Sequence, residues 1–223
     1  MTWVLANLEQ IWRLTLDHVA LSVPPIVLGF LIAVPLGWLA HRYRPSRGVI
    51  LTVSGLLYTI PGIALFLSLP VVLGTRILDP LNVVVGMTIY AVALLARTAA
   101  DAFDAVSGDV RQSSVAVGYG PIRRFFEVEL PLAGPVLLSG LRVVSASTVS
   151  LVTIGSLIGV SSLGYFFLNG LNRRFPTEIF TGIVGVIVIA VVFDLLLVLI
   201  GRLVLPWAHV TRQRERRGRR AVA

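Results

Sequence analysis

Apolar residues run along this chain in long unbroken stretches, each closed by arginine, proline or glycine rather than broken at helical spacing. A helix crosses the hydrocarbon core of a bilayer in about 20 apolar residues. Five stretches qualify: 19–40, 49–73, 81–96, 136–158 and 182–205. The third is short if it stops at Arg97, but a snorkelling arginine lets it reach further. Ahead of the first, residues 3–16 mix Trp3, Leu5, Leu8, Ile11, Trp12 and Leu14 with Glu9, Gln10 and Arg13, the pattern of an interfacial amphipathic helix. The pattern predicts an all-α integral membrane protein with about five transmembrane helices. An interfacial segment occupies 1–17, a membrane domain 18–206 and a basic tail 207–223.

Composition agrees. Of 223 residues, 56% are hydrophobic and only 13% charged, whereas soluble domains carry about 25%. The absence of cysteine removes disulfides, thiolate metal sites and cysteine nucleophiles together. The net charge of +8 rests on arginine alone, since no lysine occurs. In a soluble protein such a balance would point to nucleic acid, but here the arginines sit at the ends of apolar spans, where they set topology. Arg42, Arg44 and Arg47 follow the first span; Arg97, Arg111, Arg123 and Arg124 follow the third; Arg212, Arg214, Arg216, Arg217, Arg219 and Arg220 fill the tail. The alternate side has only Arg13, Arg76, Arg173 and Arg174. The richer set belongs in the cytoplasm, which puts the N-terminus outside and the C-terminus inside. The first 17 residues hold Glu9, Arg13 and Asp17 without a basic n-region and cleavage site, so no signal peptide is expected. The tail reads as a topology anchor, with an anionic-lipid or nucleic-acid patch as the other reading of its charge; no nucleic-acid partner is expected.

Between the third and fourth spans lies a polar interruption, the loop over 98–131. Residues 98–117 have helix character, weakened at Gly108, and Gly118 is the natural stop because glycine takes the left-handed C′ conformation without a Cβ penalty. A second short helix restarts at Pro121, whose fixed φ suits the first turn. It would carry Ile122, Phe125, Phe126 and Val128 on its apolar side, with Arg123, Arg124, Glu127 and Glu129 elsewhere. Pro131 then breaks it before the fourth span. The expected shape is a helix, a sharp corner and a short helix roughly parallel to the membrane.

Gln112, Ser113, Ser114, Gly118, Val128, Leu130 and Pro131 resemble the EAA motif of bacterial ABC-importer permeases, E-A-A, three residues, G, nine residues, I, one residue, L-P. The spacing is kept in full; Gln112, Ser113 and Ser114 replace the acidic residue and two alanines. Tyr58, Thr59, Ile60, Pro61, Gly62, Ile63, Ala64 and Leu65 are similar to the Q-T-I-P-S-L-A-L signature of the osmoprotectant permeases, the glycine betaine, carnitine and choline importers. Thr88 to Ala91 through Arg97 and Thr98, Ile158 to Gly164 and Phe193 to Leu197 resemble further stretches of that family, over about residues 18–206. The resemblance implies a type I ABC-importer permease in the bacterial cytoplasmic membrane, working with a second permease subunit, identical or paralogous. It also implies a cytoplasmic ATPase dimer and an extracytoplasmic substrate-binding protein. The ATPase would dock on Gln112, Ser113, Ser114, Gly118, Pro121, Val128, Leu130 and Pro131. No cofactor is expected on this chain: it has no phosphate-binding loop of the G-x-x-x-x-G-K-[ST] type, so ATP and magnesium belong to the partner.

Candidates for the translocation pathway are Tyr58, Thr59, Pro61, Tyr90 and Asp194. Pro61 and Gly62 interrupt a helix in mid-membrane, where irregular backbone is tolerated only when shielded by protein or lining a cavity. That reads as a kink beside the path or as an ordinary proline kink. Tyr90 offers a face to a quaternary ammonium, or simply packs. Asp194 contacts a cation or a gate, or forms an ion pair inside the bundle with Arg142. Gly155 and Gly159 make a GxxxG suited to close helix packing. His18, His41 and His209 have no metal-ligand spacing, and no metal site is expected. Alternatives are a permease for another small amine or amino-acid derivative, or an ATP-independent secondary transporter using Asp194 and Arg142. Five spans without internal repeats argue against the latter. An intramembrane enzyme built on Asp101, Asp104 and Asp109 lacks a nucleophile or paired histidine; no catalysis is expected of this chain.

Overall fold

The computed structural model describes residues 2–207, and every regular element among them is a helix. The tail expected over 208–223, with its arginines and His209, lies outside the described residues. A short α1 (Thr2–Ala6) leads through Asn7 into α2 (Leu8–Arg42), 35 residues in one helix, about 52 Å at 1.5 Å per residue. No helix boundary falls at 17–18. Leu14, His18, Leu21, Pro25 and Gly29 form one buried stripe across that point, so the same packing face holds both halves. His18 Nε2 lies 2.9 Å from the Val149 carbonyl oxygen, fixing α2 to a later helix.

The second apolar stretch is not one continuous helix but two, α3 (Arg44–Thr59) and α4 (Gly62–Leu73), set at 104°. Pro61 disfavours the helical region for the residue before it. Ile60 accordingly has ψ 126° and Pro61 ψ 132°, and two extended residues in succession turn the chain. Next, α5 (Pro80–Asp104) runs well past Arg97, for 25 residues. The helix expected over 98–117 is therefore divided: its first turns belong to α5, and a break at 105–107 precedes α6 (Gly108–Ala116). Gly108 is the first residue of α6 rather than a weak point inside a helix, because Ser107 caps that end, its Oγ accepting from the Asp109 N–H at 3.3 Å.

The short α7 (Pro121–Arg124) passes through a π turn (Phe125–Glu129) into α8 (Leu130–Val152) and a final 3₁₀ stretch (Thr153–Ile158). Pro131 does not break the chain there. It lacks an N–H and would clash with the carbonyl four residues back; the wider π turn, with Leu130 N–H donating to Phe125 O, takes up that misfit. Gly155 lies in the 3₁₀ stretch and Gly159 caps it at φ +85°, so the two do not share one face of an α-helix. Beyond it come α9 (Tyr165–Asn172), which the hydropathy pattern does not foreshadow, and α10 (Pro176–Val204). Buried Glu178 joins these two, accepting from Asn169 Nδ2 at 2.7 Å and Arg173 Nη1 at 3.1 Å.

The core is built on α2 against α5. A Cβ on Gly29 or Gly37 would stand 2.4 Å from Ala91 Cβ or Ala99 Cβ, so the two backbones approach as only small residues allow. On the other side α5 packs on α8, and α8 on α10. Four segments are long and apolar enough to cross a membrane: α2, α5, Pro121–Ile158 and α10, with the bent α3–α4 pair making up to five. On α10 one long face is exposed and apolar, from Phe180 through Leu203, as expected of a helix facing lipid, while Val186, Ile189, Ala190 and Phe193 turn to the bundle.

Candidate functional site

The ends of α2, α5 and α10 and the start of α8 meet at one end of the bundle, where Leu205 packs over Gly134 and Trp38 reaches Glu129. Trp3 marks the other end, edge-on to Phe166 and Phe175. At the first end, Arg47 at the start of α3 bonds Asp104 at 2.7 Å and Asp101 at 3.3 Å, and His41 Nδ1 meets Asp104 Oδ1. Asp101 and Asp104 are thus helix-end partners of basic groups; no metal-binding cluster occurs among the described residues.

At that same end the chain forms a corner. Gly118 has φ +93°, its N–H donates to Val115 O at 2.9 Å, and the Tyr119 N–H donates to Ser114 O at 3.0 Å. These two bonds are the Schellman closure of α6, at the glycine where a stop is expected. Of the motif residues, Gln112 and Ser113 are exposed, while Ser114 is buried with its hydroxyl on Arg111 O at 2.7 Å. Pro121 opens α7 on the exposed side of the corner, flanked by Val117 at 78% exposure and Ile122 at 72%. Val128, Leu130 and Pro131 are half-buried instead, and Leu130 packs with Phe103 and Leu137. The structure therefore divides the motif between an outward corner and an inward anchor.

Glu129 is the anchor's polar centre, and helical periodicity misplaces it among outward charges. It is 2% exposed. It accepts from Trp38 Nε1 at 2.7 Å and Arg124 Nε at 3.0 Å, and Arg111 Nε lies 3.6 Å away. The π turn rotates it inward; Pro131 two residues later is the sequence signal that an ordinary α turn does not fit there.

Within the membrane, the α3–α4 break is met by Tyr90, whose hydroxyl donates to the Ile60 carbonyl freed by the turn. Tyr58 and Tyr90 rings stand edge-to-face, 5.9 Å apart. With Ser147 and Thr148 of α8 they line a cavity of about 10 Å³. Those two α8 residues carry no signal in the sequence. Thr59 turns back on its own helix, bonding Leu56 O at 2.7 Å, and Pro61 is exposed at the break. Asp194 is joined not to this group but to Arg142, with 2.6 and 2.8 Å contacts between α10 and α8.

An all-helical bundle with four or five candidate spans, a broken span and a capped polar corner is the architecture of a multi-span membrane protein. Residues 25–210 match the family described as binding-protein-dependent transport system inner membrane component, and the chain belongs to that family. It is 30% identical over 192 residues to the choline transport system permease protein OpuBB of Bacillus subtilis, covering 86% of this chain and 87% of that one. It is 30% identical over 198 residues to the osmoprotectant import permease protein OsmW of Salmonella typhimurium, covering 87% and 92%. Its fold is that of a chain of the inward-facing MetNI methionine ABC transporter, with a TM-score of 0.78 at 21% identity over 89% of this chain and 98% of that one.

Proposed function

We propose that this chain is the permease subunit of an ABC importer for a small osmoprotectant such as glycine betaine, choline or carnitine. It would assemble with a second permease subunit, a cytoplasmic ATPase dimer carrying ATP and magnesium, and an external substrate-binding protein. The observation that carries the coupling role is the α6–α7 corner. A glycine-closed turn presents exposed Val115, Val117 and Ile122 at one end of the bundle, while Glu129 locks its base to α2. An exposed apolar patch on an otherwise capped polar element is the mark of a docking surface. The substrate class is supported by the names of the relatives and by the tyrosines at the α3–α4 break. Rings of this kind attract a quaternary ammonium.

In this reading the corner lies in the cytoplasm, the N-terminus outside and the C-terminus inside. Arg42, Arg44, Arg47, Arg111, Arg123 and Arg124 gather at the corner's end of the bundle, where the positive-inside rule puts them. Closure of the ATPase dimer moves the corner, and α5 and α8, which flank it in the chain, carry the motion to the spans. Outward- and inward-facing states then exchange by population shift.

The test is uptake of labelled glycine betaine, choline and carnitine at high osmolarity in a strain lacking this gene. Loss of at least one uptake, restored by the wild-type chain, is expected. Unchanged uptake of all three moves the substrate to another small amine or amino-acid derivative.

A further inference from the structure

The outer wall of α6 carries a concavity of about 420 Å³ lined by Arg111, Gln112, Val115, Ala116 and Arg124. Its charge is unbalanced. Two guanidinium groups, Arg111 and Arg124, share the single buried carboxylate of Glu129. Arg111 Nη2 donates to Phe103 O, but its Nε is buried without a hydrogen bond, 3.6 Å from Glu129 Oε1. Arg123, the next cation along α7, is taken up by Glu127 at 3.0 Å and lies over the Tyr119 ring. Gln112 adds no charge to the wall. The buried Arg111 Nε faces Glu129, while the Arg111 and Arg124 side chains stay 21% and 15% exposed at the concavity, so two cations meet solvent there with one carboxylate between them.

Resting on the reading of this corner as the ATPase-docking surface, we infer that the α6 concavity is an electropositive socket that receives a carboxylate side chain of the docked ATPase. The carboxylate would balance the spare charge of the Arg111–Arg124 pair and accept from their terminal guanidinium N–H groups, a charge-assisted bond of the strong kind. A protein side chain, rather than a free anion, fits the setting. Half-exposed Val115 stands in the wall itself, and Val117 and Ile122 extend the apolar surface along the corner. Apolar contacts beside a charge pair exclude water from it and so strengthen it at an interface. The partner's contact segment therefore presents a carboxylate beside apolar residues.

Gln112 is exposed, so its charge can be changed without disturbing the fold. The experiment takes the full-length chain as wild type, Gln112→Glu and Gln112→Arg. Each is titrated in detergent with the ABC ATPase purified with the wild-type chain and identified by its sequence. Equal elution profiles and thermal midpoints establish that the three variants are folded alike. Gln112→Glu is expected to weaken the complex about tenfold, with the loss growing as ionic strength falls. Gln112→Arg is expected to bind at least as tightly as wild type. Tighter binding by Gln112→Glu means that the partner presents a base, and equal affinities mean that the concavity is not contacted; either overturns the inference. If the wild-type chain holds no ATPase, the docking reading itself fails instead.

Discussion

Arg142 and Asp194 join α8 to α10 as a bidentate pair, Nε to Oδ1 at 2.6 Å and Nη2 to Oδ2 at 2.8 Å. A carboxylate within an apolar span needs a partner or water, and this one has its partner on the neighbouring helix. The pair accounts for both charges without a substrate. Asp194→Asn or Arg142→Leu alone strands one member and should lower the thermal midpoint in detergent. The double neutral variant Arg142→Leu/Asp194→Leu should recover most of the loss. A double variant that abolishes uptake while folded would assign the pair a transport role.

Gly118 holds the corner at φ +93°. Valine there must adopt a left-handed conformation at a cost of about 1–2 kcal/mol. Gly118→Val should insert normally into the membrane yet lose ATPase stimulation by substrate and binding protein. Gly118→Asn, which tolerates that conformation, should retain much of it. Normal coupling in the valine variant would remove the corner from the mechanism.

Glu129 and Glu127 are two residues apart in one turn and opposite in consequence. Glu129→Gln leaves Arg111 and Arg124 short of charge in a buried cluster and should cost about 2–3 kcal/mol. Glu127→Gln breaks only an exposed pair and should leave the melting temperature near wild type. Pro131→Ala removes the reason for the π turn, so it should also loosen this cluster and impair transport. Melting curves of the three variants check the ranking.

Tyr90 closes the break between α3 and α4 through its hydroxyl on Ile60 O. Tyr90→Phe should lose about 1 kcal/mol of stability while keeping the aromatic face. If that face meets a quaternary ammonium, Tyr90→Phe should preserve uptake affinity and Tyr90→Leu should weaken it several-fold. Equal affinities in both would leave Tyr90 a purely structural residue.

The α2–α5 contact allows no added methyl. A Cβ at Gly37 would meet Ala99 Cβ at 2.4 Å and Ala100 N at 2.7 Å. Gly37→Ala should therefore destabilise by about 1–3 kcal/mol, although alanine is the better helix former. A rise in thermal midpoint would mean that the helices separate more easily than their spacing implies.

Much of this was legible beforehand because it depends on local chemistry. The apolar stretches give the spanning helices, and Gly118 and Pro121 give the corner, since a left-handed stop and a fixed φ act within a few residues. The spacing of the motif around them pointed to the family. What could not be read is where helices continue. Hydropathy marks the lipid-matched part of a helix, whereas α2 extends below it and α5 beyond Arg97 because neighbouring helices cover the same stripe. Ser147 and Thr148 became neighbours of Tyr58 and Tyr90 only through packing of α8.

By itself the sequence determined that the chain is a bundle of membrane-length helices with a polar corner, for water and lipid enforce hydrophobic length and turn chemistry residue by residue. Only the tertiary structure decided what the charges do. Pro131 induces a π turn, the turn carries Glu129 inward to Trp38, Arg111 and Arg124, and Arg142 finds Asp194 on a helix 52 residues later. The physical reason is that an ion pair depends on distance in space, and sequence separation does not set that distance.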